Sequence, residues 1–126
     1  MNARLIYFLI SGIGLAALFL VNYFVGVKRG YYKKGEKNFW FDKIMHFCGG
    51  FFVAMFWSAF IADFLFVVHF TFLVGIFWEI GEYLYGVYKL KKSGTSEYMT
   101  ETRDTIEDLI CDILGAVALL FLIYNL

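Results

Sequence analysis

Four runs of mainly apolar residues, at about 5–27, 40–62, 64–88 and 105–126, dominate the chain. Each is close to the roughly 20 residues a helix needs to cross about 30 Å of hydrocarbon. The chain has no proline to interrupt them. Hydrophobic residues make up 61 % and charged residues 17 %, against about 45–50 % and about 25 % in soluble domains. The expectation is an all-α polytopic membrane protein, residues 1–126 forming one domain of four transmembrane helices in an antiparallel bundle. The turn around Asp63 is so short that the second and third helices must be antiparallel neighbours.

The first run carries no charge, and its Gly12 and Ala16 offer a small-xxx-small contact face. It reads as a scaffold helix, since the apolar core of a signal peptide would span only about 7–15 residues. Cys48 and Cys111 both fall inside apolar runs, where cysteine is a small hydrophobe.

A formal net charge of zero conceals segregation. Nine of the eleven Lys and Arg residues lie in two polar stretches, Lys28 to Phe39 and Lys89 to Arg103. The positive-inside rule places both loops in the cytoplasm and both termini outside a plasma (inner) membrane. Topology and anionic lipid account for these charges, so nucleic-acid binding is not expected.

The acids lead to function. Asp104, Asp108 and Asp112 repeat every four residues at the start of the last run, which sets them along one helical stripe. Asp42 and His46 open the second run on a stripe shared with Gly49, Gly50 and Val53. Glu79 and Glu82 lie on the closing half of the third run, on a stripe with Gly75, Gly86 and Tyr83. At about 1.5 Å per helical residue all three groups reach similar depths from the loop side. They are expected to converge on one centre, and the first helix to add no ionisable group. Some have simpler readings: Asp42 as an N-cap, Asp104 with Glu107 as a capping box, His46 as a buried hydrogen-bonded histidine. Asp112, Glu79 and Glu82 do not, because carboxylates that deep are costly unless paired or neutralised. Lys43 is the one cation inside the runs, read as lying at the rim. Protons or bound cations must balance the rest. His69 and Asp63 lie towards the other face.

The order Asp42-Lys43-Ile44-Met45-His46-Phe47, an acid at Glu79 or Glu82, then Arg103-Asp104, Asp108, Asp112 and Gly115-Ala116 resembles the pattern of VanZ-like membrane proteins. It is also similar to the bacterial inner-membrane YjdF-type family. The likeness covers about two thirds of the chain. It implies a small helical membrane protein with an acidic polar site, and no particular reaction.

Three functions fit these residues. The first is a divalent-metal site, with Asp42, His46, Glu79, Glu82, Asp108 and Asp112 as candidate ligands for Mg, Mn, Zn or Fe. It would act on a lipid-linked or phosphorylated membrane substrate as a hydrolase or transferase. Asp104 and Glu107 would support the ligands, while Lys43 and Arg103 would meet a phosphate headgroup. The second is proton or cation transport, for which a homo-oligomer could complete a path. The third is a non-enzymatic membrane subunit with a structural cation site.

Overall fold

In the computed structural model, residues 2–28, 39–94 and 102–125 are described, and nearly all are helical. Helix α1 spans Ala3–Val21 and continues as a π-helical extension over Asn22–Lys28. Helix α2 spans Phe39–Ser58, α3 Phe64–Ser93 and α4 Thr102–Asn125. Local chemistry sets several ends. The Asn2 side chain accepts from the Arg4 amide, and Asp63 accepts from the Leu65 and Phe66 amides, which satisfies first-turn donors. Gly94 closes α3 with φ 70°, a left-handed conformation that glycine adopts without strain.

Three element bounds bear on the site where they differ from expectation. Helix α3 runs past residue 88 because Lys91 and Lys92 suit a helix C-terminus and Gly94 supplies the cap. Helix α4 starts at Thr102 and α2 at Phe39, so Asp104 and Asp42 sit inside first turns rather than at the caps. The capping-box reading also fails at Glu107, whose Oε1 accepts from Arg103 Nε at 2.9 Å. Much of the basic stretch 28–39 and of the stretch 89–103 lies outside the described residues.

Contacts between helices give their directions. Lys43 meets Asp104 and Asp108, His46 meets Asp112, and Tyr124 Oη donates to the Ala62 carbonyl at 2.9 Å. Position numbers rise together, so α2 and α4 are parallel. Trp57 stacks on Phe70 while His46 faces Glu79, so α3 runs antiparallel to α2. Phe8 packs on Phe56 and Phe60 with Gly14 beside Phe52, so α1 is antiparallel too. Among the described residues α2 touches all three other helices, α3 touches α2 and α4, and α1 packs on α2 alone.

The α2–α4 contact is the most extensive among the described residues and depends on missing side chains. A Cβ on Gly50 would run into the Asp112 backbone, and one on Gly115 into the backbone of Phe47 and Phe51. With no Cβ at either crossing point, the two backbones approach far more closely than ordinary helix pairs do. The expected contact face at Gly12 and Ala16 is not used. Gly12 meets nothing within 4 Å and both residues are exposed, while α1 packs through Tyr7, Ser11 and Gly14.

Burial is inverted relative to a soluble bundle. Ser11, Lys43, His46, Thr71, Glu79, Asp108 and Asp112 are buried, whereas Ile13, Phe77, Leu65 and Phe121 are among many exposed large apolar residues. Ala54, Met55, Val67, Ala116, Leu119 and Leu120 form a small apolar core in the half away from the acids. Among the described residues two helical stretches, Ala3–Gly26 and Phe64–Ser93, are long and apolar enough to cross a membrane. Helices α2 and α4 carry charge in their opening turns, Asp42 and Lys43 on one and Arg103 to Asp112 on the other.

Candidate carboxylate–imidazole site

Spacing on each helix decides what reaches the centre. Asp42 and His46 are four residues apart on α2 and share a face, while Lys43, about 100° further round, turns towards α4. Asp104, Asp108 and Asp112 climb α4 one turn at a time. Glu79 enters from α3. The parallel α2–α4 contact at Gly50 and Gly115 holds the Asp stripe against the Asp42–His46 stripe.

Lys43 is the electrostatic hinge. It is only 6 % exposed, and its Nζ lies 2.7 Å from Asp104 Oδ1, 2.5 Å from Asp108 Oδ1 and 3.8 Å from Asp42 Oδ2. The expectation of a rim lysine is therefore corrected. Its short path to an acid on the adjacent helix draws the ammonium inwards, where it partly neutralises Asp108.

The other Asp108 oxygen belongs to a second group. His46 Nε2 lies 3.6 Å from Glu79 Oε1, 3.9 Å from Asp108 Oδ2 and 4.0 Å from Asp42 Oδ1. These separations are too long for direct hydrogen bonds. They are close to the roughly 3–4 Å between donors that each sit about 2.0–2.2 Å from one ion. Ligand atoms of Asp42, His46 and Asp108 all fall within 4.8 Å of one another. The opposite ring nitrogen, Nδ1, is 3.2 Å from Asp112 Oδ1, so a carboxylate fixes the ring while Nε2 faces the acids.

Two buried acids have unused capacity. Among the described residues both Glu79 oxygens lack a hydrogen bond of normal geometry, with the Thr105 side chain alongside, and Asp112 Oδ2 also lacks one. Gly75 gives Asp112 its room, since a Cβ there would press on Oδ2. Five carboxylates (Asp42, Glu79, Asp104, Asp108, Asp112) surround one lysine and one imidazole. Even a protonated His46 leaves three negative charges for protons or a cation.

The remaining expected members sit further out. Glu82 accepts from Trp78 Nε1 at 2.9 Å and faces a cleft rather than the His46 ring. Arg103 is largely exposed and paired with Glu107. Asp104 supports Lys43. His69 is exposed. Among the described residues, α1 brings Leu15, Leu18 and Phe19 to the same cleft, and Asn22 just beyond it borders the cleft too.

That cleft, of about 350 Å³, was not anticipated. Its walls come from α1 (Leu15, Leu18, Phe19), α2 (Met45, Gly49, Val53) and α3 (Val74, Trp78), with Asp42, His46 and Glu82 towards one end and Asp112 further in, beside Gly50 and Gly75. It exists because, among the described residues, α1 and α3 both pack beside α2 with no close approach of their backbones to each other. Its trace in the sequence is the set of glycines Gly49, Gly50 and Gly75 that line it, of which Gly49 is beside open space.

Residues 9–126 match the sequence model of a family described as predicted membrane protein, DUF2238. No curated protein matches the chain, and no solved structure does.

Proposed function

The chain belongs to the DUF2238 family of predicted membrane proteins, and from that premise we propose that it holds a divalent cation within the bilayer and acts there on a lipid-linked or phosphorylated membrane substrate. The observation that carries this reading is the ring of acid oxygens at 3.6–4.0 Å around His46 Nε2. Asp42, His46, Asp108 and Glu79 would ligate the ion, and Asp112 would orient the imidazole through Nδ1, a common arrangement at metal sites. Three carboxylates with one imidazole suit Mg²⁺, Mn²⁺, Fe²⁺ or Zn²⁺. Such an ion would polarise a phosphoryl or carbonyl oxygen. Glu82, which lines the same cleft as Asp42 and His46, would be the group to take up a proton beside the ion.

All four helices cross the membrane in this reading. Its support is the inverted burial, which extends to the outer faces of α2 and α4 at Ile44, Ile110, Leu114 and Phe121. Exposed apolar surface on that scale suits lipid rather than water. The basic loops face the cytoplasm and both termini the outside. With Cys48 and Cys111 replaced by Ala, a cysteine at Ser93 should resist a membrane-impermeant thiol reagent in intact cells and react after lysis. Labelling from outside would reverse the orientation.

Ligands must lose protons to bind metal, so affinity should fall as pH falls. An ion bound only to the folded state raises its Tm, by about 2.7 kcal/mol of stability at a hundred times Kd. Chelator should therefore lower the Tm at pH 7.5, and the difference should shrink at pH 5. If the acids are protonated instead, chelator leaves the Tm unchanged at both pH values.

A further inference from the structure

We infer that the cleft between α1 and α3 receives one single-chain lipid with a phosphate head, the chain lying along α2 and the head at the His46 end. The head assignment rests on the divalent-cation reading; the chain assignment does not. The cleft grades from apolar to polar along its length. Leu15, Val53, Val74 and Thr71, whose hydroxyl is already given to the Val67 carbonyl, line the part near mid-bundle, and Asp42, His46 and Glu82 the end nearer the loops. An amphiphile anchored in a membrane has that same order of groups. The volume, about 350 Å³, is near the lower limit of roughly 300–1,000 Å³ for ligand pockets, which favours one chain over a two-chain phospholipid. Because the backbones of α1 and α3 make no close approach among the described residues, the chain can enter sideways from lipid without crossing water.

An unspent group lies further in. Asp112 borders the cleft beside Gly75, is 6 % exposed, and its Oδ2 accepts no hydrogen bond among the described residues. An acid held that way needs a proton, a donor or a cation close by. Carboxylates alone would repel a phosphate, whereas an ion on Asp42, His46 and Asp108 would attract it. Trp78, on the α3 wall, sits against the chain and can report on it.

With Trp40→Phe and Trp57→Phe, Trp78 is the sole tryptophan. Dibromostearoyl lysophosphatidate should then quench its fluorescence saturably. Gly49→Leu places a side chain in open space and should weaken quenching by at least about tenfold, or 1.4 kcal/mol, without changing metal content. Leu15→Phe, filling the cleft from the other wall, should do the same if Gly49→Leu folds poorly. Unchanged midpoints in both variants would overturn the proposal. Equal affinity for the phosphate probe and its monoacylglycerol counterpart would overturn the head assignment. Gly49-dependent quenching in a protein that elemental analysis finds metal-free would support the chain site and remove the cation reading alone.

Discussion

Replacing Lys43 with Ala is expected to destabilise the folded protein by about 3–5 kcal/mol, the usual result of removing one partner from a buried ion pair. Asp108 is only 1 % exposed and its Oδ1 meets Lys43 Nζ at 2.5 Å. Without that ammonium, Asp108 faces Asp42 and Asp104 with no fixed positive charge between them. Thermal unfolding in mild detergent checks this, and Lys43→Ala combined with Asp108→Asn should recover much of the loss by removing the stranded charge. A loss below about 1 kcal/mol would fit an exposed pair instead and would contradict the inward placement of Lys43.

A comparable effect is expected from Gly115→Ala. Substituting Ala for Gly in an open helix usually stabilises it by roughly 0.5–1 kcal/mol. At Gly115, however, the added methyl would collide with the Phe47 carbonyl and the Phe51 amide nitrogen, and backbone atoms cannot swing aside as a side chain can. Separating α2 from α4 would also pull the Asp stripe away from His46. The expected loss is about 3 kcal/mol or more, at the upper end of overpacking effects, together with loss of metal-dependent stabilisation. Gly49→Ala is the matched control, because its Cβ meets nothing within 4 Å, and it should be neutral or slightly stabilising. Equal effects at the two glycines would show that the α2–α4 contact is not as close as described.

Side-chain spacing carried much of the site. The stripes Asp42–His46, Glu79 and Asp108–Asp112 follow from helical periodicity, and their common depth follows from counting residues inwards from the charged loops. The division of labour among the acids was less visible. Glu82 is three residues from Glu79 and equally acidic, but it is set about 60° round the helix and its carboxylate accepts from the Trp78 indole beside the cleft. Lys43 was misplaced because its neighbour Asp42 and its loop-side position suggest solvent, while its real partners lie 61 and 65 positions away on another helix. The parallel α2–α4 pairing is a tertiary fact with two glycines as its main local sign, and Gly12, Gly49 and Gly81 look identical in sequence yet meet no neighbouring atom. For the same reason the cleft was illegible, since it comes from how α1 and α3 are set against α2.

Metal content tests the central claim most directly. Purified from cells and dialysed against a metal-free buffer at pH 7.5, the protein should retain one divalent ion per chain by elemental analysis. His46→Ala and Asp108→Asn should each abolish it, whereas Gly49→Ala should not. Absence of metal in the unaltered protein after incubation with Mn²⁺, Zn²⁺, Mg²⁺ and Fe²⁺, or equal metal in the His46→Ala and Asp108→Asn variants, would contradict a cation held between α2, α3 and α4.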